Sequence, residues 1–159
     1  MTITNINQLD PINGLYTYAE YLLWQFEERV ELLKGKLFKM SAPSIDHQRI
    51  SGRLFVKMYS YLEGKRCEVF SAPFDVVLKN PNGEDNTVLQ PDLCVVCDPE
   101  KLADGKRCYG VPDWVLEIVS PSNVEKVMSL YLRQLLLCIA IGDYLSVDYH
   151  KLTPIVETY

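Results

Sequence analysis

Asp113-Trp114-Val115-Leu116-Glu117-Ile118-Val119-Ser120 is an apolar, β-branched run with one carboxylate at its centre. Its composition reads as a strand, and neither face of it looks solvated. An ionised carboxylate in such a strand costs several kcal/mol unless it is paired or binds a metal, so Glu117 is the strongest local anomaly. A second run, Leu93-Cys-Val-Val-Cys97, also reads as a buried strand and follows Pro91-Asp92 directly. Glu31 stands in a third, Val30-Glu-Leu-Leu33. Three acids inside strand-like apolar runs suggest a carboxylate cluster, the oxygen-rich ligand set that hard divalent cations prefer. The alternative is three separate ion pairs or edge positions.

Around these runs the chain reads as alternating helix and strand signals. Thr17-Tyr-Ala-Glu20 is a capping box and predicts a helix over about 18–28. Residues 30–40 read as two short strands about Lys34-Gly35. Ser44 opens a long helix to about Leu62, stopped by Gly64, with Ile50, Leu54, Met58 and Tyr61 as its apolar face. Strand signals follow in 67–79 and 87–98, separated by the turn Asn80-Pro-Asn-Gly-Glu-Asp85. A polar loop is expected over 99–110, a last helix after Ser120-Pro-Ser-Asn123, and a strand over 144–149. The expected fold class is mixed α/β (α+β), one mixed sheet flanked by helices.

The 159 residues suit a single domain, 1–159, large enough to bury a core without staples. The longest apolar run, 135–141, has seven residues, far short of a membrane span. The N-terminus has no basic region followed by an apolar core, so no secretory signal is expected. Five cysteines, with no such signal, read as reduced thiols of a cytoplasmic protein. Cys94 and Cys97 have C-x-x-C spacing. On a strand, residues three apart face opposite ways, so two buried small hydrophobes are expected rather than a zinc site.

The formal charge of −5 is uneven. Residues 29–66 hold nine Lys/Arg against three acids, a local +6 in a chain whose remainder is −11. Arg49, Arg53 and Lys57 recur at i, i+4 and i+8, one basic stripe on the long helix. Such a stripe suits phosphate contacts or a plain solvated face equally.

The order and spacing of several short pieces carry a resemblance. They are Tyr18-Ala-Glu-Tyr21, Glu31-Leu-Leu-Lys-Gly35, Met40-Ser-Ala-Pro43, His47-Gln-Arg-Ile50, Gln90-Pro-Asp-Leu93, Gly110-Val-Pro-Asp113 and Val115-Leu-Glu-Ile-Val-Ser-Pro-Ser-Asn123. Over about residues 15–123 the chain resembles the Uma-type restriction endonuclease family, within the PD-(D/E)XK, restriction-endonuclease-like superfamily. The resemblance implies a mixed sheet with flanking helices and a Mg²⁺- or Mn²⁺-dependent phosphodiesterase site acting on DNA. Asp92 matches the aspartate of the PD motif and Glu117 the acid of (D/E)XK, both as metal ligands. Glu31 matches the N-terminal acid that completes the shell. His47 matches a family histidine and, with Arg49, Arg53 and Lys57, is a candidate contact to nucleic acid. Gln90 stands where it could orient the site, with no role assigned to it.

The superfamily lysine departs from this pattern. Two residues after Glu117 stands Val119. In the Uma-type pattern the lysine moves to the following helix, where this chain has Tyr131, with Lys126 before it and Arg133 after. Lys126, or else Arg133, is the expected substitute. Residues 127–141 are atypical before Gly142-Asp-Tyr-Leu-Ser-Val-Asp148 resumes the pattern, and the final strands of the pattern are missing. The segment 124–159 therefore reads as atypical or truncated. A catalytically degenerate nucleic-acid-binding or interaction module on the same fold is the alternative to an active enzyme, and a less covered sheet edge invites a homodimer.

Overall fold

The computed structural model describes residues 2–118. The last expected helix and strand, the atypical segment and Lys126 lie outside the described residues. Secondary structure runs as α1 (Tyr18–Tyr21), β1 (Val30–Leu33), β2 (Lys36–Lys39), α2 (Ile45–Leu62), β3 (Glu68–Ser71), β4 (Val76–Lys79), β5 (Asp85–Leu89), β6 (Leu93–Val96), β7 (Cys108–Tyr109) and β8 (Trp114–Leu116). The class is the expected mixed α+β one. The strands divide into two sheets where one was expected: five strands in the order β2-β1-β5-β4-β7, and three in the order β3-β6-β8. The division falls at Gln90-Pro91-Asp92, where proline supplies no N–H to continue a ladder. β5 therefore closes in the larger sheet and β6 opens in the smaller one.

The larger sheet is mixed, because β7 pairs β4 in parallel while its other neighbours are antiparallel. Its core gathers Leu32, Val77 and Val88 against Tyr18 of α1, with Tyr16, Tyr21, Trp24 and Leu37 packed around them. The smaller sheet buries all four residues of β6. β6 is thus covered on both faces, although its partners β3 and β8 are partly exposed.

The β1–β2 hairpin turns at Lys34-Gly35, as the sequence suggests. Both residues have positive φ, 52° and 79°. This is the pairing that two-residue hairpin loops demand. A Cβ on Gly35 would lie 3.1 Å from the Tyr16 carbonyl oxygen. Gly35→Ala is therefore expected to cost about 1–2 kcal/mol, read as a lower urea midpoint. An unchanged midpoint would show that the turn relaxes without loss.

The capping box at α1 is present: Thr17 Oγ1 accepts from Glu20 N–H, and Glu20 accepts from Thr17 N–H. The helix is four residues long, not the eleven expected. Leu23 and Trp24 already bond three residues back, and Trp24 and Gln25 turn to pair with Ile3. A long-range bridge thus takes the backbone groups that a continuing helix would have used. In α2, capped by Ser44 as predicted, Leu54 and Met58 are half-buried, but Ile50 and Tyr61 are exposed. The half-buried stripe is instead His47, Ser51, Leu54, Phe55, Met58 and Leu62. Residues 99–110 hold a 3₁₀ turn (Pro99–Leu102) and β7 rather than loop throughout.

The cysteines also correct the expectation. Cys67 and Cys97 form a disulfide, so they are neither reduced thiols nor, in Cys97, a simple buried hydrophobe. The reason is register. β3 pairs Glu68 with Val96, and one step further sets Cys67 opposite Cys97. Cys94 and Cys108 are buried free thiols, pushed up to about 12 and about 11 chiefly by burial. Thiols that hold their protons so firmly are poor nucleophiles and ligands.

Candidate active site

The three out-of-place acids approach one another through three different devices. Antiparallel pairing of β6 with β8 matches Leu93 to Leu116. One step beyond that register stand Asp92 and Glu117, so the two acids flank the same end of the ladder. Glu117 lies just past the end of β8, not in mid-strand as the sequence suggested. Ile118 N–H donates to Asp92 Oδ2 at 2.7 Å and ties the outgoing chain to Asp92. Glu31, on β1, is buried at 5% exposure. Its Oε1 accepts the backbone N–H of Gln90 at 2.8 Å, two residues before Asp92.

His47 enters from α2. Its backbone N–H is held by Ser44 Oγ, and its Nε2 lies 3.0 Å from Asp92 Oδ2. An ionised carboxylate only accepts, so Nε2 carries the proton in this contact. Asp92 thus has its Oδ2 filled by two donors, one from a helix and one from the chain after β8.

Glu117 is different. Its Oε1 is buried and has no hydrogen-bond partner among the described residues. Burial first, then the carboxylates of Asp92 and Glu31, push its pKa from 4.5 up to about 9. Without a cation Glu117 therefore keeps its proton at neutral pH. A positive charge placed beside it would favour the ionised form and bring its pKa down. Among the described residues no group of three or more His, Cys, Asp or Glu side chains is arranged to hold a metal ion. What is present is the facing pair Asp92 and Glu117 with one orphaned oxygen. That set fits Mg²⁺, which commonly uses one or two carboxylates and completes its shell with water and substrate phosphate.

The basic stripe stands apart. At about 100° per residue along a helix, Arg49 and Arg53 fall on the side of α2 away from the half-buried stripe that carries His47, and Lys57 on the flank of that stripe. All three are exposed, and Arg49 pairs with Asp46 at 3.1 Å. The structure therefore joins His47 to the carboxylates but does not join it to the three basic residues.

Sequence reasoning missed a polar array behind the acids. Gln90, 9% exposed, receives two N–H groups from Arg29 on its Oε1, at 3.2 and 2.8 Å. Its Nε2 donates to Asp75 Oδ1 at 2.8 Å and to Tyr21 OH at 3.3 Å. Tyr21 OH reaches Asp75 Oδ1 at 3.4 Å. Burial, reinforced by the Asp75 carboxylate, holds the Tyr21 phenol well above the usual tyrosine range. The one available signal was Asp75 itself, an acid directly before the apolar strand Val76–Leu78.

The fold is restriction-endonuclease-like. A crystal structure titled as that of a "putative nuclease belonging to DUF820" from Anabaena variabilis ATCC 29413 matches with a TM-score of 0.58. The match covers 79% of this chain and 68% of that one at 21% identity, and at that identity the likeness is one of fold. The family model described as Uma2, "Putative restriction endonuclease", matches residues 18–149, and the chain belongs to that family. No curated protein matches it. The resemblance drawn from the residue pattern is therefore the family of the chain. No helix among the described residues is long and apolar enough to cross a membrane.

Proposed function

We propose that this chain is a divalent-cation-dependent endonuclease that hydrolyses phosphodiester bonds in DNA, with Asp92 and Glu117 as the ligands of Mg²⁺ or Mn²⁺. The observation that carries the reading is Glu117, a buried carboxyl with an orphaned oxygen beside a second carboxylate. A bound cation supplies a water of lowered pKa and offsets charge developing on the phosphate. The chain's own part is to hold that pair. His47 and Ile118 N–H fix one oxygen of Asp92, while burial keeps Glu117 from ionising until a cation arrives. Glu31, close enough to raise the Glu117 pKa, adds negative charge to the same place. The test is cleavage of plasmid and linear DNA with Mg²⁺ or Mn²⁺, beside the Asp92→Asn variant.

Tyr131, standing where the Uma-type pattern has its lysine, favours a second reading, a catalytically degenerate module that still binds nucleic acid. Cation binding without cleavage of any DNA substrate selects it. Arg53 and Lys57 are exposed and available for phosphate under either reading. Arg53→Ala and Lys57→Ala are each expected to lower DNA affinity and flatten the salt dependence by about one phosphate contact. Fluorescence-anisotropy titrations across a salt series measure this. Slopes equal to the parent's would assign the stripe to solvent.

A further inference from the structure

We infer that Gln90 is a positioning residue, which through its doubly clamped side-chain amide holds the backbone that fixes Glu31 and presents Asp92. The inference rests on the carboxylate site proposed above and adds to it the part that sets its geometry. Gln90 uses its main chain and side chain for separate tasks. The main-chain N–H meets Glu31 Oε1. The side chain is satisfied at all four positions: two N–H groups from Arg29 on Oε1, and Asp75 and Tyr21 as acceptors for Nε2.

The amide orientation is forced. Arginine can only donate, so Oε1 must face Arg29, and the amide N–H₂ must face the Asp75 carboxylate. Gln90 thus bridges a cation and an anion that come from opposite sides of it in the fold. Arg29 immediately precedes β1, the strand of Glu31. Asp75 immediately precedes β4, the neighbour of β5. The clamp therefore fixes the chain just where it leaves the larger sheet for the smaller one. Pro91, with its fixed φ, then passes that constraint to Asp92. A leucine or a glutamate would fill the same space, but neither would match a donor to Asp75 and an acceptor to Arg29 together.

This donor–acceptor pattern can be broken and restored without changing size. Gln90→Glu sets a carboxylate against Asp75. The double variant Gln90→Glu/Asp75→Asn swaps donor for acceptor and restores the match, because the new asparagine amide donates to the new carboxylate. Mn²⁺ affinity of each protein, measured by electron paramagnetic resonance well below the unfolding temperature, is the first readout. Loss of a supporting partner of this kind commonly costs about 10–100-fold in metal affinity. Gln90→Glu is expected to show such a loss and the double variant to recover most of it. A residue with a merely structural role would lower the unfolding temperature and leave the affinity alone. Parent-like affinity in Gln90→Glu, or a double variant as weak as the single one, overturns the inference.

The second readout needs no metal. In EDTA, hydrogen exchange of the Gln90 backbone amide is expected to be slow in the parent, fast in Gln90→Glu and slow again in the double variant. If the parent binds no Mn²⁺, the metal reading of the site fails, and exchange alone decides for or against Gln90. Equal exchange in all three proteins overturns the positioning role.

Discussion

Asp92→Asn is expected to abolish cation-dependent cleavage of plasmid DNA while leaving the protein folded. Asparagine keeps the shape, and its carbonyl oxygen still accepts from Ile118 N–H and His47, the two donors now on Asp92 Oδ2. The fold therefore loses little. The charge is lost, and with it one of two carboxylates facing the proposed cation. Electrostatic stabilisation by a bound cation is worth several kcal/mol at the transition state, so the rate should fall by roughly 10²–10⁴-fold. Mn²⁺ affinity should fall in parallel. Nicking of supercoiled plasmid, read on a gel beside a Mn²⁺ titration, measures both. A variant that cuts as fast as the parent would remove Asp92 from the site. A parent that binds Mn²⁺ yet cuts nothing would select the degenerate module.

What was legible in the sequence was what depends on neighbours in the chain. The Thr17 box, the Lys34-Gly35 turn and the Ser44 cap are local rules, and each element begins or turns where its residues say. The end of α1 depends on Ile3, fifteen residues before the helix starts, and no local pattern at 22–28 announces that bridge. The Cys67–Cys97 bond depends on the β3–β6 register, which spacing alone does not reveal.

The site divides in the same way. Glu31, Asp92 and Glu117 were visible because an acid inside an apolar strand breaks the pattern. Arg29 and Asp75 were not, because each sits at a strand entrance where charge is ordinary. Their meaning comes from Gln90, which reaches both across long sequence separations. The basic stripe shows the converse. Its helical spacing was plain, but the exposure of all three residues, apart from the half-buried face of His47, needed the fold.

Glu117→Gln is expected to change the sign of its effect on stability when a divalent cation is added. In EDTA the folded protein keeps the Glu117 proton up to about pH 9, whereas the unfolded chain releases it near 4.5. Between these values the folded state binds more protons than the unfolded one, so stability falls as pH rises. The slope approaches about 1.4 kcal/mol per pH unit. The proton's contribution is complete below the unfolded value and lost as pH passes the folded one. Glutamine mimics the protonated carboxyl and has nothing to release, so its curve lacks this slope. The variant should match the parent near pH 5 and exceed it increasingly towards pH 9. With saturating Mg²⁺ or Mn²⁺ the cation takes the proton's place in the parent and stabilises the folded state by mass action, an option closed to the variant. The parent should then be the more stable of the two at pH 8. Urea midpoints at four pH values, in EDTA and in Mn²⁺, give both comparisons. Parallel curves in EDTA would mean that Glu117 is already ionised and compensated. An order unchanged by Mn²⁺ would mean that whatever compensates it is not a divalent cation.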